Sequence, residues 1–386
     1  MASTPAVHWP PRLLAAAVTL SVVHGQTQRL LGLATDRHDQ SASLMDTKLL
    51  TLSPFLMAHD AGSGYLGEGL VNAWTKTQSG GLRQQLDCGA RAFDARPTMH
   101  PKYGLIWHHG IVNIHHRFEM SLVDIMHWCE AHPSELVLLM ISQCAGTGCL
   151  QAVRAVFAKH NVRDLRECDT LGDLTYADAT AQAALPMGGS LLAVTGPPAQ
   201  SGGVACSVGN YDPSQTCAGF VRRGAQDASS VHACGRSILH ENSPLTEPLL
   251  TSDEIALLQD CARNGSISKV DKSAAYGCWR TDTFQDVPIG RMLTQLDAAA
   301  AAIGNGTRFT QMQALWQESA WSVLAGSVRN SSLLQDESRS GLNSMLEMWL
   351  RGKRWSQINF LEVNNICDGG PRLRDALRGL AQQPSP

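Results

Sequence analysis

The sequence lacks the features that define several large classes of protein. It has no run of Lys or Arg, and 31 basic against 34 acidic residues give a net charge of −3, so nothing indicates a nucleic-acid-binding surface. It has no Cys-x-x-Cys pair, which argues against a structural zinc site, and no glycine-rich phosphate loop. Apart from one run near the N-terminus, no stretch is apolar enough to cross a bilayer. We therefore expect no nucleic-acid partner and no transmembrane segment.

The exception is an apolar run over residues 13–23. Arg12 precedes it, small residues follow it, and Gly25 marks the predicted cleavage point. A positive charge, a short apolar run and a small-residue site are typical of a secretory signal peptide. An N-terminal anchor or a buried helix is the alternative, although the run is too short to span a bilayer comfortably. We predict that residues 1–25 are a signal peptide and that the protein is secreted into the extracellular space.

The sequence has 11 cysteines, which is consistent with an oxidising compartment. Cys144 and Cys149 are near enough in sequence to close a small loop. Five others lie in one loop-rich stretch: Cys206, Cys217, Cys234, Cys261 and Cys278. An odd number leaves at least one thiol free or paired between chains, and the sequence does not assign the connectivity. The same compartment allows glycosylation at three Asn-x-Ser/Thr sites: Asn264, Asn305 and Asn330.

Strand-length apolar runs alternate with helical patterns along most of the chain. Strands are predicted over residues 51–58, 90–94, 105–108, 136–141, 190–194, 309–315 and 358–363. Helices are predicted from Ser121 to Pro133, over 149–160 and 287–302, and from Pro371 onward. Strand–helix alternation of this kind predicts an α/β fold with a parallel sheet. The periodicity fades between about residues 196 and 283, which we interpret as a Cys-rich insertion, and no sixth strand is recognisable there.

Three of the predicted strands end at ionisable residues followed by Gly or Pro. The motifs are Met57-Ala58-His59-Asp60-Ala61-Gly62, Ala92-Phe93-Asp94-Ala95-Arg96-Pro97 and Trp107-His108-His109-Gly110. Chemistry at the ends of successive strands favours a barrel, whereas an open doubly wound sheet concentrates its site at one switch point. We therefore predict an irregular TIM-type (β/α)8 barrel formed by residues 26–386 as a single domain, with the insertion at about 196–283.

Alternate residues of a strand point to the same side, so Asp94 and Arg96 should lie together, as should Trp107 and His109. If the first strand also ends facing inward, His59 joins them in one mouth. One histidine can then take a hydroxyl proton while the other protonates a leaving oxygen. Arg96 offers a planar cation that matches two phosphoryl oxygens. The pattern predicts phosphoryl transfer without a metal or cofactor.

Asp60 and Asp94 have a supporting part in this prediction, because either carboxylate could fix a histidine tautomer or orient the arginine. Each motif also has a structural alternative. His59 could simply start a turn, and Asp94 with Arg96 could be a structural ion pair. His108 and His109 could bind a metal or lie in a surface loop. The order of three strand ends, each with a complementary group, favours catalysis.

These motifs together resemble the X-domain family of phosphatidylinositol-specific phospholipases C, in its bacterial, metal-independent branch. Pro133-Ser134-Glu135 before the fourth strand and Asn359-Phe360-Leu361-Glu362-Val363 in the last strand extend the resemblance. The resemblance implies that His59 is the general base for the inositol 2-hydroxyl and that His109 is the general acid for the diacylglycerol leaving group. It implies that Arg96 stabilises the phosphoryl charge with Asp60 and Asp94 in support, that no metal or cofactor is needed, and that the partner is a phospholipid or glycolipid at a membrane surface.

The sequence departs from this family around the substrate. An aspartate on the last strand pairs with the base histidine in the bacterial branch, and the counterparts here are Asn364 or Glu362. Basic residues of the fourth and fifth strands are replaced by Ser142-Gln143 and Thr195. We therefore predict Gln143, Glu362 and Asn364 as substrate-binding residues. A barrel phosphodiesterase for another head group and a catalytically silent barrel that binds a lipid or partner remain alternatives.

Overall fold

The computed structural model describes residues 45–198, 203–209, 288–303, 306–316 and 332–381. The predicted signal peptide and three predicted glycosylation sites, Asn264, Asn305 and Asn330, lie outside the described residues. So do most of the predicted insertion and four of its cysteines: Cys217, Cys234, Cys261 and Cys278.

The described residues form eleven strands and nine α-helices. The strands are β1 (Phe55–Ala58), β2 (Ala92–Ala95), β3 (Pro97–His100), β4 (Gly104–His109), β5 (Val112–Arg117), β6 (Leu136–Ile141), β7 (Arg163–Leu165), β8 (Ser190–Val194), β9 (Ser207–Gly209), β10 (Phe309–Ala314) and β11 (Phe360–Val363). The helices are α1 (Leu70–Thr75), α2 (Leu82–Asp87), α3 (Phe118–Ala131), α4 (Cys149–Lys159), α5 (Tyr176–Gln182), α6 (Pro288–Ala301), α7 (Leu333–Ser340), α8 (Leu342–Arg351) and α9 (Gly370–Ala381). None of these helices combines the length and apolar character that a bilayer span requires.

Eight of the strands form one parallel sheet in the order β7-β8-β6-β2-β1-β11-β10-β9. The sheet curls so that its two edges approach each other, and a disulfide joins the segments beside the two edge strands. Cys168 follows β7, Cys206 immediately precedes β9, and their Cα atoms are 5.2 Å apart. The predicted α/β fold with a barrel-type parallel sheet is therefore confirmed, with an open seam that the disulfide crosses.

The alternation of side chains along the strands separates an inner from an outer apolar layer. On β1, Phe55 and Met57 pack in the inner cluster with Phe360 of β11, whereas Leu56 and Ala58 pack in the outer cluster beneath the helices. Strand β6 is buried along its whole length, as a strand covered on both faces should be, which explains its continuous apolar sequence. The same alternation continues past the ends of the strands and decides which polar residues face inward.

The predicted third barrel strand is wrong. Residues 105–108 belong to β4, the middle strand of a separate antiparallel sheet, β3-β4-β5. Only three residues separate β3 from β4, and a parallel crossover needs about a dozen. His109 is therefore presented by a hairpin that lies over the barrel and not by a barrel strand.

Four strands were not predicted: β3 and β5 of the antiparallel sheet, and two short strands of the parallel sheet. Strand β7 pairs with the outer edge of β8, so the strand order departs from the sequence order at that point. Strand β9 pairs with β10 and lies inside the range predicted as an insertion. Barrel structure therefore continues at least to Gly209, beyond the predicted start of the insertion at residue 196.

Three disulfides join described residues. Cys144–Cys149 closes the small loop that the sequence indicated. Cys168–Cys206 crosses the seam of the sheet, and Cys88–Cys367 joins the end of α2 to the segment after β11. Cys129 is a buried free thiol, and burial raises its pKa to about 12, so it stays protonated and unreactive at neutral pH.

Candidate active site

A polar layer lies above the inner apolar layer, at the carboxyl ends of the strands. His59, Asp94 and Asn364 continue the inward-facing alternation of β1, β2 and β11. All three are buried, and they contact one another directly or through Arg96. The prediction that the first strand ends facing inward is confirmed by these contacts.

His59 is held at both ring nitrogens. Its Nδ1 lies 2.8 Å from Oδ1 of Asn364, and its Nε2 lies 2.9 Å from Nη2 of Arg96. An amide oxygen only accepts and a guanidinium only donates, so Nδ1 carries the proton and Nε2 presents its lone pair. Burial, and then the neighbouring positive charge of Arg96, lower the pKa of His59 to about 4. The ring is therefore a neutral base near pH 7.

Arg96 connects the other ionisable groups. Its Nε lies 2.9 Å and its Nη2 2.7 Å from Oδ2 of Asp94, and its Nη1 lies 3.4 Å from Oδ2 of Asp60. Burial opposes the charge, but the carboxylates of Asp94 and Asp60 outweigh it and raise the pKa of Arg96 above its ordinary value. The guanidinium remains a fixed cation whose side chain is 12% exposed, at the opening of the barrel.

Asp60 links the barrel to the hairpin. It has a left-handed backbone, with φ 43°, immediately before a 3₁₀ helix over Ala61–Tyr65. Its Oδ2 lies 2.6 Å from Nδ1 of His109, which leaves Nε2 of that ring directed away from the carboxylate. Although burial alone would raise it, the pKa of Asp60 is lowered by Arg96 and then by His109. His109 is 24% exposed and is the most open of the ionisable side chains at the site.

The local sequence explains why the hairpin docks here. Gly62 faces the ring of Trp107, and a Cβ at this position would overlap that ring. Trp107 is buried, and its Nε1 donates to Oγ of Ser121 at 2.9 Å. The Asp-Ala-Gly turn and the Trp-His-His strand therefore fit against each other. This contact places Trp107 and His109 on the same side, as predicted, while His108 turns away toward the carbonyl oxygen of Gln143.

Both carboxylate oxygens of Asp94 accept hydrogen bonds beneath Arg96. Besides Arg96, its Oδ2 accepts from the backbone N–H of Asp60 at 3.0 Å, and its Oδ1 accepts from Oγ of Ser142. This geometry confirms that Asp94 and Arg96 point together. It also gives Ser142 a function that sequence reasoning missed, because a serine replacing a basic residue was interpreted only as a loss.

Of the three predicted substrate-binding residues, two lie beneath the site. Asn364 is 1% exposed and Glu362 is completely buried, so neither faces a substrate at the mouth of the barrel. Glu362 accepts from Nε2 of Gln311 at 2.5 Å, and burial together with the nearby Asp94 raises its pKa to about 8. The prediction that Asn364 and Glu362 bind substrate is therefore wrong, and both residues support the site from below. Gln143 is exposed on a left-handed turn with φ 40°, where contact with a substrate remains a prediction.

One group of side chains in the described part of the chain has ligand atoms close enough to hold a metal ion: His59, Asp94 and Glu362, within 4.8 Å. Arg96 already contacts His59 Nε2 and Asp94 Oδ2. A cation bound by all three would have to displace this guanidinium from two of its partners. These side chains are therefore better suited to holding the Arg96 guanidinium than to holding a metal ion.

The fold and the site together define a class: an α/β barrel whose strand ends present a histidine, an arginine and carboxylates, with a second histidine added by the hairpin that lies over them. No protein-family model matches the sequence. Two curated proteins are similar to it, the 1-phosphatidylinositol phosphodiesterases of Staphylococcus aureus strains Newman and NCTC 8325, each 30% identical over 102 residues. This region is 26% of the chain and 33% and 31% of the two relatives, so the chain spans about a third of their length.

Among solved structures, a double mutant of the phosphatidylinositol-specific phospholipase C from S. aureus gives a TM-score of 0.47 with 14% identity, covering 87% of this chain and 95% of that one. The phosphatidylinositol-specific phospholipase C from Listeria monocytogenes gives 0.48 with 11% identity, covering 88% and 98%. The curated relatives and structural neighbours of this chain are thus bacterial phosphatidylinositol-specific phospholipases C.

Proposed function

We propose that this chain is a secreted phosphodiesterase that cleaves phosphatidylinositol-type lipids or related glycolipids by acid–base catalysis with two histidines. The observation that carries the proposal is the unbroken contact chain His59–Arg96–Asp60–His109. It sets a neutral imidazole, a fixed cation and a second imidazole around one opening. The relatives named for phosphatidylinositol support the choice of substrate. The disulfides support an oxidising, extracellular location.

In the proposed reaction, the guanidinium of Arg96 turns from Nε2 of His59 to the phosphoryl oxygens, and the inositol 2-hydroxyl takes its place at that nitrogen. His59 Nε2 then accepts the hydroxyl proton while the hydroxyl oxygen forms a bond to phosphorus. The bond from phosphorus to the glycerol oxygen breaks, and Nε2–H of His109 gives its proton to that oxygen. The products are an inositol cyclic phosphate and diacylglycerol. Arg96, held by two carboxylates, stabilises the negative charge that develops on the phosphoryl oxygens. Asp60 orients the His109 ring and balances its charge while both ring nitrogens carry protons.

Turnover of phosphatidylinositol vesicles tests this mechanism. We expect His59→Ala and His109→Ala each to lower kcat about 10²–10⁴-fold, which is the usual contribution of a general acid or base. A water-soluble inositol phosphodiester with a nitrophenolate leaving group separates the two functions. Such a leaving group needs little protonation, so His109→Ala should regain most of its activity on it, whereas His59→Ala should not.

His115→Ala is the matched control, because this histidine is exposed on β5 and contacts Tyr103 outside the site. It should turn over both substrates like the wild type. Activity should also survive a chelator, since the proposal gives charge stabilisation to Arg96. A folded wild-type protein that releases no diacylglycerol would reject the lipid assignment and leave another phosphodiester, or a silent binding barrel, to be tested.

Two exposed apolar side chains, Ile111 and Leu70, form a rim at the opening of the barrel and support catalysis at a lipid surface. Ile111, in the turn after His109, is fully exposed, and Leu70 of α1, which follows β1, is 69% exposed. We expect Ile111→Asp with Leu70→Asp to lower activity on vesicles at least about 10-fold, since burying one such side chain contributes about 1.5–3 kcal/mol. Activity on the water-soluble substrate should be unchanged.

The control for the rim is Met187→Asp. Met187 is 55% exposed but lies in the turn before β8, at the opposite end of the barrel. It should leave vesicle activity unchanged. Docking through this rim would be contradicted if Met187→Asp lowered vesicle activity as much as the rim variant does. It would also be contradicted if the rim variant lost as much activity on the water-soluble substrate as on vesicles.

A further inference from the structure

A buried carboxylate lies behind the residue that holds His59. Asn364 contacts Nδ1 of His59 through its Oδ1 at 2.8 Å, and its Nδ2 lies 3.4 Å from Oε2 of Glu337. Glu337 belongs to α7 and is 3% exposed. A contact chain therefore runs from Glu337 through the Asn364 amide to His59 and on to Arg96.

The surroundings of the amide fix its orientation. Its Nδ2 faces Oε2 of Glu337 and, at 3.4 Å, the carbonyl oxygen of Trp316. Both of these atoms accept hydrogen bonds, so the NH₂ group must point toward them and Oδ1 must point toward His59. The amide in turn requires His59 to carry its proton on Nδ1. The groups around Nδ1 thus keep the proton on that nitrogen and leave Nε2 with a lone pair in the ring tautomer.

Asn364 alone cannot complete this arrangement. A neutral amide can orient the ring, but it has no charge to stabilise the imidazolium that forms when His59 accepts a proton. A carboxylate hydrogen-bonded to the amide NH₂ polarises the amide and strengthens the hydrogen bond from Nδ1, because linked hydrogen bonds in a low-dielectric interior reinforce one another. At metal-binding histidines, removal of the outer hydrogen-bond partner typically costs about 10–100-fold in activity, and we expect a loss of similar size here.

We propose that Glu337 is a positioning residue that acts through Asn364 to hold His59 in its base-competent tautomer and to stabilise its protonated form. This inference rests on the proposed function only in naming His59 as the base. Neither Glu337 nor the amide contacts the reacting atoms.

The test is ¹⁵N NMR of the His59 ring together with steady-state kinetics on the full chain, for wild type and Glu337→Gln. Glutamine removes the negative charge behind the Asn364 amide and offers one acceptor oxygen in place of two, so the orientation of that amide is held less firmly. We expect the ring to shift from the Nδ1–H toward the Nε2–H tautomer. We expect kcat to fall about 10–100-fold with KM nearly unchanged. Glu347→Gln, which removes a carboxylate of α8 that is bonded to Arg351 and to Arg372 of α9, should change neither quantity.

A second pair of variants distinguishes a relay, in which Glu337 acts on His59 through the Asn364 amide, from simple packing. Asn364→Asp places a carboxylate directly on His59, so a further Glu337→Gln change should then alter kcat less than threefold. A wild-type tautomer and wild-type kcat in folded Glu337→Gln would overturn the proposal. So would a tenfold loss caused by Glu337→Gln in the Asn364→Asp background, or failure of that double variant to fold, because either would make Glu337 a packing residue.

The NMR measurement needs no substrate, so it separates the two proposals. If the wild type turns over no phosphatidylinositol but the tautomer changes in Glu337→Gln, the relay stands and the substrate assignment fails. If turnover is observed and the tautomer does not change, the proposed function stands and the relay is rejected.

Discussion

Replacement of Arg96 by lysine is expected to lower kcat/KM by about three orders of magnitude, near the upper end for losing one preorganised charge donor. The guanidinium contacts three residues at once: Nε bonds Asp94, Nη1 bonds Asp60 and Nη2 bonds His59. A lysine ammonium is a compact charge on a flexible stem and cannot make these contacts in one plane. Charge is conserved in Arg96→Lys, so the loss would report geometry. Steady-state kinetics on the water-soluble substrate measures it without interference from the membrane.

Arg351→Lys is the control for this change, since Arg351 is exposed on α8 and bonds Glu347 of the same helix. A loss of less than tenfold in Arg96→Lys would mean that the cation contributes only long-range charge. Arg96→Gln extends the experiment to pH. After burial, Arg96 is the next largest cause of the low pKa of His59, so its removal should raise that pKa. The acid limb of kcat/KM, expected near pH 4 in the wild type, should then move to higher pH.

The sequence predicted the centre of the site because strand alternation is local information. Once β1 and β2 are recognised, the positions of His59, Asp94 and Arg96 on one face follow from a period of two residues. The continuous apolar run of β6 likewise predicted its own bounds. In each case the residues that decide the structure are adjacent in the chain.

What the sequence could not predict depends on distant partners. Strand β9 has three residues and is stabilised as a strand by pairing with β10, about 100 residues later. Glu337 lies in an amphipathic helix and is indistinguishable from a surface residue until the fold places it beside Asn364. The antiparallel hairpin could have been inferred, because only ten residues, 95–104, separate the predicted strands 90–94 and 105–108, and a parallel crossover needs about a dozen or more.

Removal of the Cys88–Cys367 disulfide is expected to have the largest effect on stability. The bridge spans 279 residues and joins the end of α2 to the segment that follows Asn364. In the chain-entropy model, a crosslink over a loop of this length stabilises the fold by about 5.6 kcal/mol, against about 2 kcal/mol for a loop of five residues. Cys88→Ala with Cys367→Ala should therefore lower the free energy of unfolding much more than Cys144→Ala with Cys149→Ala, whose separation is 5 residues.

Denaturant titration of the two double variants, read by circular dichroism, measures this difference. Loss of the Cys88–Cys367 bridge should also weaken the active site more than loss of the Cys144–Cys149 bridge does. Cys367 is three residues after Asn364, and the intervening Asn365 donates its backbone N–H to the carbonyl oxygen of Thr77, whose hydroxyl bonds the carbonyl of His59. Loss of the bridge should thus release the segment that holds the base, and activity should disappear at a lower denaturant concentration than the helices unfold. Equal destabilisation by the two pairs would show that local packing, and not the length of the closed loop, determines what each bridge contributes.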